Sequence, residues 1–200
     1  MLSQHRLISQ RAFSVLCASV LCAGALISPT AASAQAVAGT GALAVGQPAP
    51  DFTVKSVNAG GAMATPFHLA DHKGETVVLA FFPRARTQGC TVQMESYRDK
   101  YSTLMHDGKK VTLLSISVDS DTALQSWIRD AKFPFNFGSD EDRSVGMKYG
   151  ASVGTGGHKR VLYVINPDGK IGYVASPFKQ LAAEAYTELG IAIDKSASMH

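Results

Sequence analysis

Cys90 stands in the stretch FFPRARTQGCTVQMESYRD, residues 81–99. Thr87 lies three residues before it, Gly89 directly before it, and Pro83, Arg84 and Arg86 just upstream. The grouping suits thiolate chemistry. A hydroxyl both donates and accepts hydrogen bonds. A glycine lets backbone approach a reacting atom. Nearby cations favour the anionic form of sulfur. The apolar run before Pro83 reads as a strand, and a helical pattern starts at the cysteine. First-turn amides and the positive end of the helix dipole then face the sulfur and favour a thiolate. The competing reading is a buried structural cysteine, a common place for a small apolar side chain. The polar loop argues against it.

Other cysteine chemistries fit less well. No C-x-x-C pair is present, so a two-thiol exchange motif is excluded. One cysteine with six scattered histidines does not offer a zinc site, and nothing implies a cofactor. A Cys–His hydrolase pair needs His72, His106 or His158 brought close by the fold, and no spacing singles one out. The formal charge of +3, with no basic run or aromatic-interleaved patch, gives no reason to expect nucleic acid. Arg84 and Arg86 read as solvated charges. The acidic run Asp140-Glu141-Asp142 reads as a solvated first helical turn, with no oxygen-ligand pattern around it.

These residues need elements to position them. TVVLAFF, 76–82, is a buried strand, and VTLLSISV, 111–118, is a second. Between them Met94, Tyr97, Tyr101, Leu104 and Met105 form a helix stripe that Gly108 can end. Asp119, Ser120 or Asp121 can cap the next helix, whose face is Leu124, Trp127, Ile128 and Ala131. FNF, 135–137, reads as a short strand, and 140–149 as a short helix. RVLYVI, 160–165, and KIGYVA, 170–175, flank NPDG, a hairpin turn. The last helix is expected over 178–190, with Leu181, Ala185 and Leu189 on one face. The glycine-rich GTGGH, 154–158, precedes a strand rather than opening a helix. It therefore reads as a mobile loop leading to residue 160, not a phosphate cradle. The order implies an α/β domain, a mixed central sheet flanked by helices.

The N-terminus reads as a targeting segment. Arg6 and Arg11 precede the unbroken apolar run 12–27, and Ala32-Ser33-Ala34 offers a cleavage site after Ala34, with Ala36 as second choice. An uncleaved anchor is the alternative. Cleavage takes two arginines and no acid from the formal +3, leaving +1 on 166 residues. It also takes Cys17 and Cys22, so Cys90 becomes the one thiol of an exported protein. A lone thiol in such a compartment is reactive or paired between molecules. The expected organisation is signal peptide 1–34, flexible linker 35–46, domain 47–192 and tail 193–200, periplasmic or secreted, with no membrane contact after cleavage.

Pro83-x-x-x-Thr87-x-x-Cys90 resembles the active-site pattern of the peroxiredoxins (AhpC/TSA superfamily). VVLAFFPRARTQGCT is similar to the bacterioferritin-comigratory, PrxQ-like branch. GQPAPDF, FHLADHKGETVVLAFFP, LLSISVDS, FPFNFGSDEDRSVGMKYGA and KRVLYVINPDGKI follow its other segments in order. The resemblance implies a thioredoxin-like fold and a thiol-dependent peroxidase. It places the family's catalytic arginine on Arg160. It makes Cys90 the nucleophile, Thr87 a hydrogen-bond partner of thiolate or peroxide, and Pro83 and Gly89 supports of the loop. Taken singly, Thr87 reads as a helix cap, Pro83 as a strand end and Arg160 as a surface cation; together at these spacings they read as one site.

Two departures bear on mechanism. Gln88 stands where many relatives have proline, and Glu95 where many have a second cysteine. The resemblance therefore implies a one-cysteine cycle with a hydroperoxide substrate. The external reductant is a small thiol, a thioredoxin- or glutaredoxin-like protein, or Cys90 of another copy in a homodimer; a monomer is equally compatible. Two alternatives stay open: a non-catalytic thioredoxin-fold sensor or binding module, and a thiol–disulfide or glutathione-linked oxidoreductase.

Overall fold

A computed structural model describes residues 42–62, 65–152 and 154–199. The expected signal peptide, and the linker up to residue 41, lie outside the described residues. At its described end the linker is tied to the domain: the Leu43 amide donates to Tyr163 Oη at 3.1 Å and the Gly46 amide to the Ile171 carbonyl at 2.8 Å.

The sheet is built on β4, Thr76–Phe81, every residue of which is buried. Strand side chains alternate between faces, so this run feeds two cores. Val77, Leu79 and Phe81 pack with Leu114, Ile116, Tyr149 and Tyr163 on one face. Val78, Ala80 and Phe82 pack with Met94, Tyr97, Leu124, Trp127 and Ile128 on the other. β5, Val111–Ser117, runs parallel to β4, and β6, Asn136–Ser139, parallel to β5. β7, Val161–Ile165, lies antiparallel on the other side of β4, and β8, Ile171–Ala175, closes that edge through the Asn166–Gly169 turn. Gly169 has φ +80°, which this turn requires.

Helices α1, Gln88–Asp99, and α3, Asp121–Ala131, follow β4 and β5, with a short α2, Tyr101–Leu104, between. Ser120 is the cap of α3, accepting from the Ala123 amide at 3.4 Å. The fold is the expected mixed sheet with flanking helices. It also has three strands that the pattern reading did not identify: β1, Thr53–Asn58, β2, Gly61–Ala62, and β3, Phe67–His68. β1 adds antiparallel to β6, giving the order β2-β1-β6-β5-β4-β7-β8, with β3 paired to β1.

The last helix differs from expectation. α5 spans Ala183–Ala197, so residues assigned to a tail from 193 are helical as far as 197. Buried Ile193 contributes about 2 kcal/mol, and Ser196 Oγ meets Thr76 Oγ1 at 2.9 Å on β4. Leu181 precedes the helix and is 77% exposed; the buried face is Ala185, Tyr186, Leu189 and Ile193.

The acidic run is also corrected. α4 spans only Ser144–Lys148, and Asp140 is 1% exposed. Its carboxylate accepts the amides of Val145 at 3.1 Å and Gly146 at 2.8 Å, the orphan donors of the first turn of α4. His158 Nε2 lies 3.1 Å from Asp140 Oδ2, an ion-pair distance outside hydrogen-bond angles, and His158 Nδ1 meets Ser152 Oγ at 2.6 Å. A Cβ at Gly146 would overlap the His158 ring. This cluster anchors the segment that carries Arg160. Burial pushes the Asp140 carboxyl up, but His158 and the two amides outweigh it and hold it below the ordinary carboxylate value. A depressed carboxyl stabilises the fold above its unfolded value and loses that contribution as pH falls through the lower folded one. Asp140→Ala should therefore lower the unfolding free energy by about 3 kcal/mol at neutral pH, with the gap to wild type narrowing in acid. Urea titrations across pH measure this, and a gap constant with pH would refute it.

Candidate active site

Sheet register explains how residues 70 apart in sequence meet. In the β4–β7 ladder Phe81 stands opposite Val161. One step on, Arg160 precedes β7 where β4 gives way to Phe82 and Pro83. There Arg160 Nη2 donates to Cys90 Sγ at 3.3 Å. Cys90 is the third residue of α1, fully buried and free of any disulfide. The Thr91 amide bonds the Thr87 carbonyl at 2.8 Å, the first helical bond. The amides of Gly89 and Cys90 thus belong to the unpaired first turn, at the positive end of the dipole. Cys90 packs into the α1-side core, yet its sulfur touches a cation. A purely structural cysteine would have apolar contacts alone.

Of the other predicted residues, Gly89 lies beside Arg160, while the contacts of Thr87 and Pro83 are with the loops around α1. Thr87 is the N-cap by position, but its side chain caps nothing; Oγ1 donates to the Arg84 carbonyl at 3.1 Å. With its proton engaged there, the hydroxyl presents lone pairs and acts as an acceptor. Gly89 lies beside the guanidinium: a Cβ there would meet Arg160 Nη2 at an ordinary 3.5 Å and press on Gln180 Nε2 at 3.1 Å. Pro83 carries the chain from the strand into the loop, and Gly157 of the glycine-rich loop lies against its carbonyl. The loop is held in turn by Arg143, whose Nε and Nη2 donate to the carbonyls of Gly156 at 3.0 Å and Thr155 at 2.7 Å.

Sequence reasoning missed several supports. Gln93 is fully buried and its Oε1 accepts from Arg160 Nη1; its Nε2 donates to Tyr97 Oη at 2.8 Å. Cys90, Gln93 and Tyr97 recur at three and four, on one face of α1. That spacing was readable, but glutamine carries no chemical flag. Burial pushes the Tyr97 phenol far up, so it stays neutral. Asp119 Oδ2 accepts the Ala85 amide at 2.7 Å and the Ser117 hydroxyl at 2.8 Å, pinning the middle of the active-site loop. Arg86, expected to be merely solvated, pairs with Asp130 and donates to Ser126 Oγ at 3.0 Å on α3. Its backbone is left-handed, φ +61°. His72, His106 and His158 lie against Glu75, Asp194 and Asp140, and none bonds Cys90 among the described residues.

The AhpC/TSA family pattern matches residues 45–174. A putative peroxiredoxin Bcp of Coxiella burnetii is 36% identical over 139 residues, covering 66% of this chain and 87% of that protein. Peroxiredoxin Bcp of Escherichia coli is 32% identical over 144 residues, covering 68% and 88%. Among solved structures, Xanthomonas campestris peroxiredoxin Q superposes with a TM-score of 0.64 at 19% identity, over 79% of this chain and 99% of that one. Mycobacterium tuberculosis peroxidoxin BcpB gives 0.64 at 23% identity, over 78% and 97%. At those identities the structural likeness establishes the fold.

The Gly157–Pro83 contact gives a test of loop placement. In Gly157→Ala the new Cβ overlaps the Pro83 carbonyl and must shift the Pro83 loop and the glycine-rich loop apart. Hydrogen peroxide consumption should fall about tenfold or more, with the circular dichroism spectrum unchanged. A wild-type rate would show that the loop's position does not matter.

Proposed function

The chain belongs to the AhpC/TSA family of peroxiredoxins and is a thiol-dependent peroxidase, and from that premise we propose that it works through Cys90 alone. The observation that carries this is the Arg160 guanidinium 3.3 Å from Cys90 Sγ, at the first turn of α1. The Cys90 thiolate attacks the terminal oxygen of a hydroperoxide. An S–O bond forms as the O–O bond breaks, and two electrons pass from sulfur to the peroxide. The Thr87 hydroxyl accepts from the peroxide O–H. Arg160 and the first-turn amides stabilise the departing alkoxide or hydroxide, which takes up a proton and leaves as alcohol or water. Cys90 is left as a sulfenic acid.

Recycling follows from what surrounds the site. Five residues beyond Cys90 stands Glu95, 44% exposed and 3.9 Å from Arg98. Cys17 and Cys22 leave with the signal peptide in this reading, so no internal disulfide forms. An external thiol condenses with the sulfenic acid, giving a mixed disulfide and water. A second thiol releases the Cys90 thiol and carries the disulfide away. The reductant is a small thiol or a thioredoxin- or glutaredoxin-like protein. The apolar run 12–27 and Ala32-Ser33-Ala34 support export, and thus a periplasmic or secreted peroxidase.

One experiment tests both parts. The mature protein, treated with one equivalent of hydrogen peroxide, should show a sulfenic acid on Cys90 by mass spectrometry, and added thiol should restore it through turnover. Cys90→Ser should be inactive. A Cys90→Ser protein that consumed peroxide at the wild-type rate would end the proposal. Oxidation of Cys90 that no thiol reversed would favour a sensor.

A further inference from the structure

We infer that Tyr97 is a positioning residue for the peroxidase reaction: its hydroxyl takes the buried N–H of the Gln93 amide, whose oxygen holds Arg160 on Cys90. This rests on Cys90 being the peroxidatic residue. The argument begins with what each group is able to do. A guanidinium only donates hydrogen bonds. The end of Gln93 that meets Arg160 must therefore be its oxygen. A carboxamide has two ends of similar shape, and turned about it would set N–H groups against N–H groups. That leaves the N–H end of the amide facing away from Arg160. There Nε2 needs an acceptor, and Tyr97 Oη supplies one at 2.8 Å. It is the one acceptor that Gln93 Nε2 bonds among the described residues, and Gln93 is fully buried, so bulk water does not take its place.

Helix geometry makes the device rigid. Gln93 and Tyr97 are four residues apart on α1, neighbours on one face, and Cys90 lies one turn earlier. The guanidinium arrives from outside, on a long flexible side chain before β7. With Nη2 on Cys90 and Nη1 on Gln93, it is bound at two points to one helix. The Tyr97 ring has its own anchors: Phe135, Phe178 and Tyr186, with ring centroids 6.3, 6.2 and 6.0 Å away. Deleting the hydroxyl alone leaves this packing in place. A wholly apolar residue would fill the same core position; the phenol adds an acceptor whose one donor among the described residues is the Gln93 amide.

The test separates positioning from packing. Tyr97→Phe should slow the oxidation of Cys90 by hydrogen peroxide about tenfold in stopped flow, the scale of one buried hydrogen bond. Reduction of the oxidised protein by dithiothreitol should be unchanged, and so should the melting temperature within a few degrees. In a Gln93→Leu background no amide is left for Tyr97 to hold. Adding Tyr97→Phe there should change the oxidation rate little. An unchanged rate in Tyr97→Phe would overturn the inference. So would an equal loss in both backgrounds, since that is the mark of a packing defect. Cys90→Ser is assayed beside them. If it is inactive while Tyr97→Phe is normal, only the Tyr97 role fails; if it is active, the peroxidase reading fails first.

Discussion

The contact of a guanidinium with a thiol sulfur sets the demands that the rest of the domain meets. Sulfur comes from the first turn of a helix and the cation from the end of a strand 70 residues later. Neither reaches the other unless β4 and β7 pair antiparallel with Phe81 opposite Val161. That register depends on a strand buried on both faces, whose alternating side chains belong to two separate cores. A slip of one residue would send each side chain to the wrong core. The sheet therefore fixes the site through the same hydrophobic alternation that stabilises the fold.

A second layer holds the parts that the sheet leaves loose. Asp119 takes the Ala85 amide, Arg86 reaches α3, and Gly157 backs Pro83. The Asp140–His158–Ser152 cluster secures the approach to Arg160 from behind. These contacts come from the ends of β5, from α3 and from the segment between α4 and β7. The loop Pro83–Thr87 is thus braced from several elements, while the nucleophile itself sits on regular helix.

What was legible in the sequence was local. Cys90, Thr87, Gly89 and Pro83 lie within eight residues, and an apolar run followed by proline and a helical stripe places them without any long-range information. Arg160 was legible only through family resemblance, because an arginine before a strand has no feature that distinguishes it from a surface charge. Gln93 and Tyr97 occupied readable helix positions, but a buried amide looks like any polar residue until its donor is known. Asp140 misled because three acids in a row suggest a solvated turn, whereas the unpaired amides of α4 draw one of them inside. The end of α5 misled similarly: DKSAS is polar, yet buried Ile193 and the contact of Ser196 with Thr76 keep the helix on the sheet.

Cys90 is fully buried, with Arg160 Nη2 3.3 Å from its sulfur. A hydroperoxide brings a single narrow oxygen to that sulfur. A thiol must bring its own sulfur, with its substituents, to a bond of about 2 Å, into space that the guanidinium and the first turn now fill. The guanidinium contact at Cys90 thus stands in the way of its reductant. A thiol that reaches this sulfur must therefore first displace the guanidinium or the first turn of α1.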